Sequence, residues 1–179
     1  MSRRVVVTGI GLLSPLGDTI ESFWSALCAG VHAFRPIKSF DASGYRTQVA
    51  AEVPGAGPRS AFAFALEAAR RALADAGLKP GPRVGVALGT TAGEILQALQ
   101  AIAETRSNPG TLRAAAEASS PGRIPARVAA ELGLGGPNAM LTTACAAWNY
   151  ALAYGLEKIS SGRADAMLIG GVDLISPTL

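Results

Sequence analysis

Along this chain, short runs of apolar residues alternate with longer segments in which apolar residues recur every three or four positions. The short runs predict buried strands, and the longer segments predict helices with one apolar face. The predicted strands are 4–10, 48–53, 83–88, 138–142 and 166–172. The predicted helices are 18–29, 60–77, 93–105, 125–132 and 145–162, with room for a further short helix within 107–121.

Polar residues mark where the first two helices begin. Asp18 is followed three residues later by a glutamate, which is the spacing of a capping box, and Ser60 is placed to cap the next helix. Helical spacing also predicts which side chains of the first helix are buried, and these are Phe23, Trp24, Leu27 and Cys28. We therefore expect Cys28 to have a structural role in the core.

The order of these elements predicts the fold class. Strands that are apolar almost throughout, alternating with helices, indicate an α/β fold with a mainly parallel sheet covered by helices on both faces. No helix is predicted in 173–179 to cover the last strand. We expect a single domain over residues 1–179 that is open on its C-terminal side.

The composition adds an unexplained shortage of charged surface. Of 179 residues, 49% are apolar and only 16% are charged, and the mean hydropathy is +0.30. Average domains contain about 25% charged residues. Such hydrophobicity excludes a disordered chain. We expect the protein either to cover part of its surface with a partner or to be a piece of a larger fold.

The sequence lacks the residues that several classes of function would require. A net charge of +3 without a basic stripe argues against nucleic-acid binding, and no apolar run approaches the length of a membrane span. One histidine and two distant cysteines form neither a metal-ligand set nor a disulfide framework. The glycines at 9 and 11 lack the third glycine of a dinucleotide fingerprint. We therefore expect a cytoplasmic protein without metal or cofactor.

Cys145 is the candidate nucleophile. It follows the predicted strand 138–142 after a very short turn and begins a long predicted helix. The first N–H groups of a helix have no partner within it, and the helix dipole is positive there, so both favour a thiolate. These N–H groups could also bind the oxyanion formed on a thioester carbonyl. The alternative is a buried structural cysteine, and nothing around the only histidine, His32, favours a dyad with Cys145.

Five motifs, in order along the chain, resemble the β-ketoacyl synthases, which are condensing enzymes of the thiolase superfamily. They are VVVTGIGLLSPLG at 5–17, LGLGGPN at 132–138, TTACAA at 142–147, SGRAD at 161–165 and GGVD at 170–173. The resemblance extends over nearly the whole chain and corresponds to the N-terminal half of the family. It implies a thiolase-like half-fold, layered α/β/α, whose second half lies outside this chain.

The resemblance also implies a reaction. Cys145 would accept an acyl chain from an acyl carrier protein as a thioester. Malonyl carrier protein would then lose CO₂, and the resulting enolate would attack the acyl-cysteine to give a 3-oxoacyl product. Two histidines of the second half would support decarboxylation, so this chain alone is expected to be inactive. The partners implied are the carrier protein with acyl and malonyl thioesters, the C-terminal half of the fold, and a second subunit in a homo- or heterodimer.

Trp148 departs from the family pattern, in which glycine or serine usually stands three residues after the cysteine. An indole on the same helix face as Cys145 would narrow the substrate pocket, and the alternative is simple core packing. A ketosynthase-like subunit that serves only as a structural or assembly partner stays an alternative function. The presence of Cys145 argues against chain-length-factor subunits, which lack the nucleophile. A thiolase or cysteine hydrolase is more distant, because a hydrolase would have only His32 as its base.

Overall fold

The computed structural model describes residues 4–55, 60–95, 98–99, 102–103, 109–118 and 120–177. The N-terminal elements are helix α1 (Ile20–Cys28), strands β1 (Arg35–Pro36) and β2 (Val49–Ala50), helix α2 (Ala61–Asp75) and strand β3 (Val84–Gly89). They are followed by helices α3 (Pro109–Ala118) and α4 (Arg123–Leu132), strand β4 (Asn138–Leu141), a 3₁₀ turn (Ala144–Ala146), helix α5 (Ala147–Ser160) and strand β5 (Ala166–Gly171). Residues 95, 98, 99, 102 and 103 are also helical, which confirms the helix predicted over 93–105 at these positions, whereas residues 93 and 94 form a turn.

A parallel sheet of three strands, in the order β4–β3–β5, forms the centre of the fold. The middle strand β3 is buried along its whole length. It pairs with β4 from Val86 opposite Asn138, and with β5 from Val84 opposite Ala166. The predicted α/β fold with a parallel sheet is confirmed. β1 and β2 form a separate two-residue antiparallel pair.

Alternate residues of β3 divide the structure into layers. One face contributes Val84, Val86 and Leu88 to the core beneath α2 and α4. The other face presents small residues, and α5 packs closely there: a Cβ on Gly89 would lie 2.5 Å from the carbonyl carbon of Ala147. The sheet is therefore covered by helices on both faces, as the alternating pattern predicts. The core residues supplied by the helices of the first face include Ala61, Ala65, Ala69, Ile124 and Val128.

The first turn of α2 is anchored to the loop that follows β3. Ser60 Oγ accepts a hydrogen bond from the Ala63 N–H at 3.1 Å, which confirms the predicted cap. The Glu94 carboxylate accepts from the N–H groups of Ala61 at 3.1 Å and Phe62 at 2.8 Å. These N–H groups have no partner within the helix, and the helix dipole stabilises a negative charge there. Glu94 therefore completes the cap of α2 from a position far along the sequence.

Replacing Glu94 by alanine should lower the free energy of unfolding by about 2 kcal/mol, because two helix N–H groups lose their acceptor in a buried place. Urea unfolding followed by circular dichroism measures the change. The matched control is Glu117→Ala, which removes an exposed carboxylate paired with Arg113 one turn away and should cost little. Equal losses in the two variants would contradict the anchoring role.

The strand predicted at 4–10 is wrong. These residues belong to no strand, and Val6 and Val7 are 61% and 78% exposed. The segment instead lies along α2, where a Cβ on Gly9 would be 2.5 Å from the amide nitrogen of Ala76. The N–H of Ile10 donates to the Asp75 carboxylate rather than to a neighbouring strand. The apolar run has the composition of a strand, but no described strand pairs with it.

The predicted cap of the first helix is also wrong. The helix is capped by Thr19, whose Oγ1 accepts from the Ser22 N–H while Ser22 Oγ accepts from the Thr19 N–H, so a capping box forms one residue later than predicted. The carboxylate of Asp18 is turned instead toward Arg71, with 3.4 Å between Oδ2 and the guanidinium. Asp18 thus pairs with a distant residue, and the neighbouring Thr19 supplies the cap.

Cys28 is exposed, which contradicts the core role predicted for it. None of the residues of α1 is buried, and Trp24 is 63% exposed. Phe23 is only partly covered and Leu27 is exposed. The helical spacing correctly indicates an apolar stripe, but no described element buries that stripe.

Candidate active site

Cys145 lies where strand β4 passes into helix α5. The strand ends at Leu141, and a short turn of residues 142–146, here called the cysteine turn, leads into the helix. The 3₁₀ turn Ala144–Ala146 and α5 together match the helix predicted from Cys145. The cysteine is exposed, so the interpretation as a buried structural residue is wrong for the described chain.

The cysteine turn holds a strained backbone conformation. Ala144 has a φ of 50°, and it is the one described residue other than glycine with a positive φ. This conformation costs an L-residue about 1–2 kcal/mol, so the surrounding contacts must hold it. The N–H of Ala146 donates to the carbonyl of Thr143 at 3.2 Å, and the N–H of Ala147 donates to the carbonyl of Ala144. A sharp turn of this kind between strand and helix presents the side chain at its apex to solvent.

The carboxyl ends of all three strands meet beside the cysteine turn. The N–H of Thr90 donates to the carbonyl of Leu141 at 3.0 Å, which joins the end of β3 to the end of β4. The N–H of Val172 donates to the carbonyl of Gly89 at 3.0 Å, which joins the end of β5 to the end of β3. The carboxyl ends of parallel strands are where α/β proteins place their binding sites.

Asp173, the last residue of the GGVD motif, and Thr90 lie near this site, and the sequence alone assigned neither of them a role there. One oxygen of Asp173, Oδ1, accepts from the Thr90 hydroxyl at 2.9 Å and from the N–H groups of Thr91 at 2.8 Å and Ala92 at 3.0 Å. The Thr90 hydroxyl in turn accepts from the Gly93 N–H at 2.8 Å. The available signal was polar residues close after two parallel strands, with Thr90 directly after the buried β3 and Asp173 two residues after β5, at the edge where function concentrates.

Trp148 lies in the first turn of α5, beside the end of β5. A Cβ placed on Gly171 would be 3.3 Å from Cδ1 of the indole, so the ring packs over that glycine. The residue is nevertheless 49% exposed. Trp148 also begins an exposed apolar stripe along α5 that continues through Leu152 and Leu156. Simple core packing therefore does not describe this tryptophan within the described chain.

The remaining candidates lie elsewhere or are not found. His32 is exposed in the loop after α1, and its ring centroid is 6.2 Å from that of Phe34. Two concave regions lie around Arg71 and residues 10–21, and Cys145 is not among their lining residues. Within the described ranges, no group of three or more histidine, cysteine or acidic residues could hold a metal ion. The described helices include none with the length and apolarity needed to cross a membrane.

Comparison with known proteins gives a consistent result. The family model of the Beta-ketoacyl synthase N-terminal domain matches residues 2–178. The chain is 34% identical to 3-oxoacyl-[acyl-carrier-protein] synthase 2 of Coxiella burnetii, covering 99% of this chain and 47% of that protein. It is 35% identical to the granaticin polyketide putative β-ketoacyl synthase 1 of Streptomyces violaceoruber, covering 99% of this chain and 48% of that protein.

Solved structures agree with these relatives. The ishigamide ketosynthase/chain length factor superposes with a TM-score of 0.84 at 34% identity, covering 99% of this chain and 49% of that one. A type II polyketide ketosynthase in complex with its acyl carrier protein, bound to the hexaketide, gives a TM-score of 0.79 at 29% identity, covering 96% of this chain and 45% of that one. The chain thus spans about half the length of the relatives that it matches.

A layered α/β fold with a cysteine between a parallel strand and a long helix defines a thiolase-like condensing-enzyme architecture. The chain belongs to the β-ketoacyl synthase family and corresponds to its N-terminal domain. The resemblance inferred from the sequence motifs is confirmed.

Proposed function

We propose that this chain contributes the nucleophile of a 3-oxoacyl-ACP synthase of fatty-acid or polyketide synthesis. The observation that supports this most directly is the position of Cys145, exposed on a strained turn at the carboxyl end of the parallel sheet. The relatives are fatty-acid and polyketide ketosynthases. We also expect the protein to work in the cytoplasm, where acyl carrier proteins would supply the substrates.

The reaction begins with acyl transfer to Cys145. The thiolate attacks the thioester carbonyl of the acyl carrier protein, a C–S bond forms to Cys145, and the carrier thiolate leaves and takes a proton. The N–H of Cys145 is the proposed donor to the oxyanion in this step. Covalent attachment divides one difficult condensation into two easier steps.

Carbon–carbon bond formation follows. Malonyl carrier protein loses CO₂, and the enolate carbon attacks the acyl-cysteine carbonyl. The new C–C bond forms as the C–S bond to Cys145 breaks, so the thiolate is regenerated and the product is a 3-oxoacyl thioester. His32 is exposed beyond α1, and we propose that the histidines supporting decarboxylation come from a second half of the fold, outside these 179 residues.

Uncovered apolar surface supports this second half and a dimer. Trp148, Leu152 and Leu156 lie one turn apart along α5 and are each at least 40% exposed. Trp24 and Leu27 of α1 are similarly open. Contiguous apolar surface of this kind on a globular protein marks an interaction site. We propose that a second half-fold and a homo- or heterodimer partner cover these surfaces.

The test is the site of acylation in the complete protein. Incubation with an acyl carrier protein thioester should add one acyl mass, and peptide mass spectrometry should place it on Cys145 as a hydroxylamine-sensitive thioester. Cys28 is the internal control, because it is equally a free, exposed cysteine. Acylation of Cys28 to the same extent, or no acylation at Cys145, would refute the proposal.

Replacing Trp148 by glycine should extend the range of accepted acyl chains. The indole is half-exposed and packs beside the end of β5, three residues after the nucleophile, so its removal should open space for substrate. We expect acylation rates with long acyl chains to rise relative to those with short chains, measured with a series of carrier-protein thioesters. An unchanged chain-length profile would show that Trp148 does not line the pocket.

A non-catalytic ketosynthase-like subunit is the second candidate. The bulk of Trp148 beside the cysteine turn favours it, because the indole occupies space where small residues are usual. The acylation experiment separates the two functions: an assembly partner would leave Cys145 unmodified while still forming a stable complex.

A further inference from the structure

Two carboxylates link strands β3 and β5 at opposite ends of the sheet. At the amino end, Asp165 forms two hydrogen bonds of 2.8 Å with the guanidinium of Arg83. These bonds and the charge of Asp165 raise the pKa of Arg83 above its ordinary value. At the carboxyl end, Asp173 accepts from the Thr90 hydroxyl and from the two N–H groups that follow it. Only the second link is on the side of the sheet where Cys145 lies.

The link at the carboxyl end is continuous with the cysteine turn. Thr90 is held by Asp173 through its side chain, and its N–H donates to the carbonyl of Leu141, the last residue of β4. The preceding residue, Gly89, presses against the backbone of Ala147 at the start of α5. One flank of the cysteine turn therefore bonds to Thr90, which Asp173 holds, and the other packs against the adjacent residue Gly89.

We propose that Asp173 and Thr90 are positioning residues for Cys145. The Asp173 carboxylate fixes the loop after β3. Thr90 of this loop bonds the end of β4, and Gly89 just before it packs against the start of α5, so the strained turn lies between two supported elements. The link to acyl transfer rests on the function proposed above. Neither residue is assigned contact with substrate.

The strength of the hydrogen bonds between Asp173 and the loop after β3 explains why their loss should affect Cys145. Three donors converge on one charged oxygen, and bonds to a charged acceptor are about twice as strong as neutral ones. Thr90 is 1% exposed, so its hydroxyl would lose its acceptor in a place that water does not reach. Ala144 has a left-handed backbone conformation that costs energy. We therefore expect it to relax when the contacts that hold the cysteine turn are lost. A displacement of about 1 Å at a nucleophile can reduce its rate by about 100-fold.

The experiment compares variants of the two links in the complete protein. Asp173→Ala and Thr90→Val remove the link, whereas Asp173→Asn and Thr90→Ser retain an oxygen in the same place. Asp165→Ala is the matched control, because it removes a carboxylate link between the same two strands at the far end. The first readout is the rate of alkylation of Cys145 by iodoacetamide across pH 6–10, relative to that of Cys28. The second is kcat and KM for acylation by a carrier-protein thioester.

We expect Asp173→Ala and Thr90→Val to shift the pH profile of Cys145 alkylation and to lower kcat for acylation by about tenfold or more, with KM little changed. Asp173→Asn and Thr90→Ser should change both readouts in the same direction but by less, and these variants carry the test if the first two do not fold. Asp165→Ala should lower the melting temperature while leaving both readouts at the wild-type value.

The two proposals fail in different ways. If Asp165→Ala alters Cys145 as much as Asp173→Ala does, or if no Asp173 or Thr90 variant alters it, the positioning role is overturned. If wild-type Cys145 is never acylated although the alkylation profile responds to Asp173, the positioning role stands and the synthase function is overturned.

Discussion

Replacing Cys145 by alanine should abolish acyl transfer from the carrier protein and lower the rate of 3-oxoacyl product formation by about 10⁴-fold or more, because the covalent intermediate has no other place to form. The side chain is exposed at the cysteine turn, so its truncation removes one sulfur atom without opening a core cavity. The measurement is single-turnover acylation followed by product formation, with the melting temperature determined alongside.

The control for this variant is Cys28→Ala. Cys28 is also a free, exposed cysteine, but it lies at the end of α1. Its replacement should leave both the acylation rate and the melting temperature near the wild-type values. Product formation by Cys145→Ala at more than a few per cent of the wild-type rate would mean that another group accepts the acyl chain.

Replacing Gly89 by alanine should destabilise the protein by about 3 kcal/mol and slow acylation as well. The added Cβ would lie 2.5 Å from the carbonyl carbon of Ala147 and 2.6 Å from the amide nitrogen of Trp148. Both are backbone atoms, which cannot rotate away as the end of a side chain can. The start of α5 must therefore move relative to the sheet, and the cysteine turn must move with it.

Urea unfolding and single-turnover acylation measure the two consequences of Gly89→Ala. The matched control is Gly44→Ala, because a Cβ on Gly44 meets no atom within 4 Å. That variant should match the wild type in both measurements. Wild-type stability in Gly89→Ala would contradict the close packing of β3 against α5.

Residues close together in sequence account for what the pattern predicted well. Ser60 caps α2 as expected because its hydroxyl needs only an N–H three residues ahead. β3 was predicted from its unbroken apolar run, and it is buried throughout. The junction at Cys145 follows in the same way, because a strand pattern and a helix pattern meet there with only a few residues between them.

Contacts between distant residues account for what the pattern missed. Asp18 has the right spacing for a cap, yet Arg71 draws its carboxylate away and Thr19 takes the position. Residues 4–10 have the apolar run of a strand, yet they lie along α2 outside the sheet. In each case the local signal is real, but the residues contact a partner more than fifty positions away instead.

The sequence by itself determined the alternation of strands and helices, the β-ketoacyl synthase family and Cys145 as the candidate nucleophile, because these depend on periodicity and on motifs within a few residues. Only the tertiary structure decided that Cys28 is exposed, that Glu94 caps α2, and that Asp173 meets Thr90 across 83 residues of chain. The physical reason is strand register. Pairing β3 with both β4 and β5 brings the carboxyl ends of the three strands together. A local sequence pattern does not predict which side chains then come into contact.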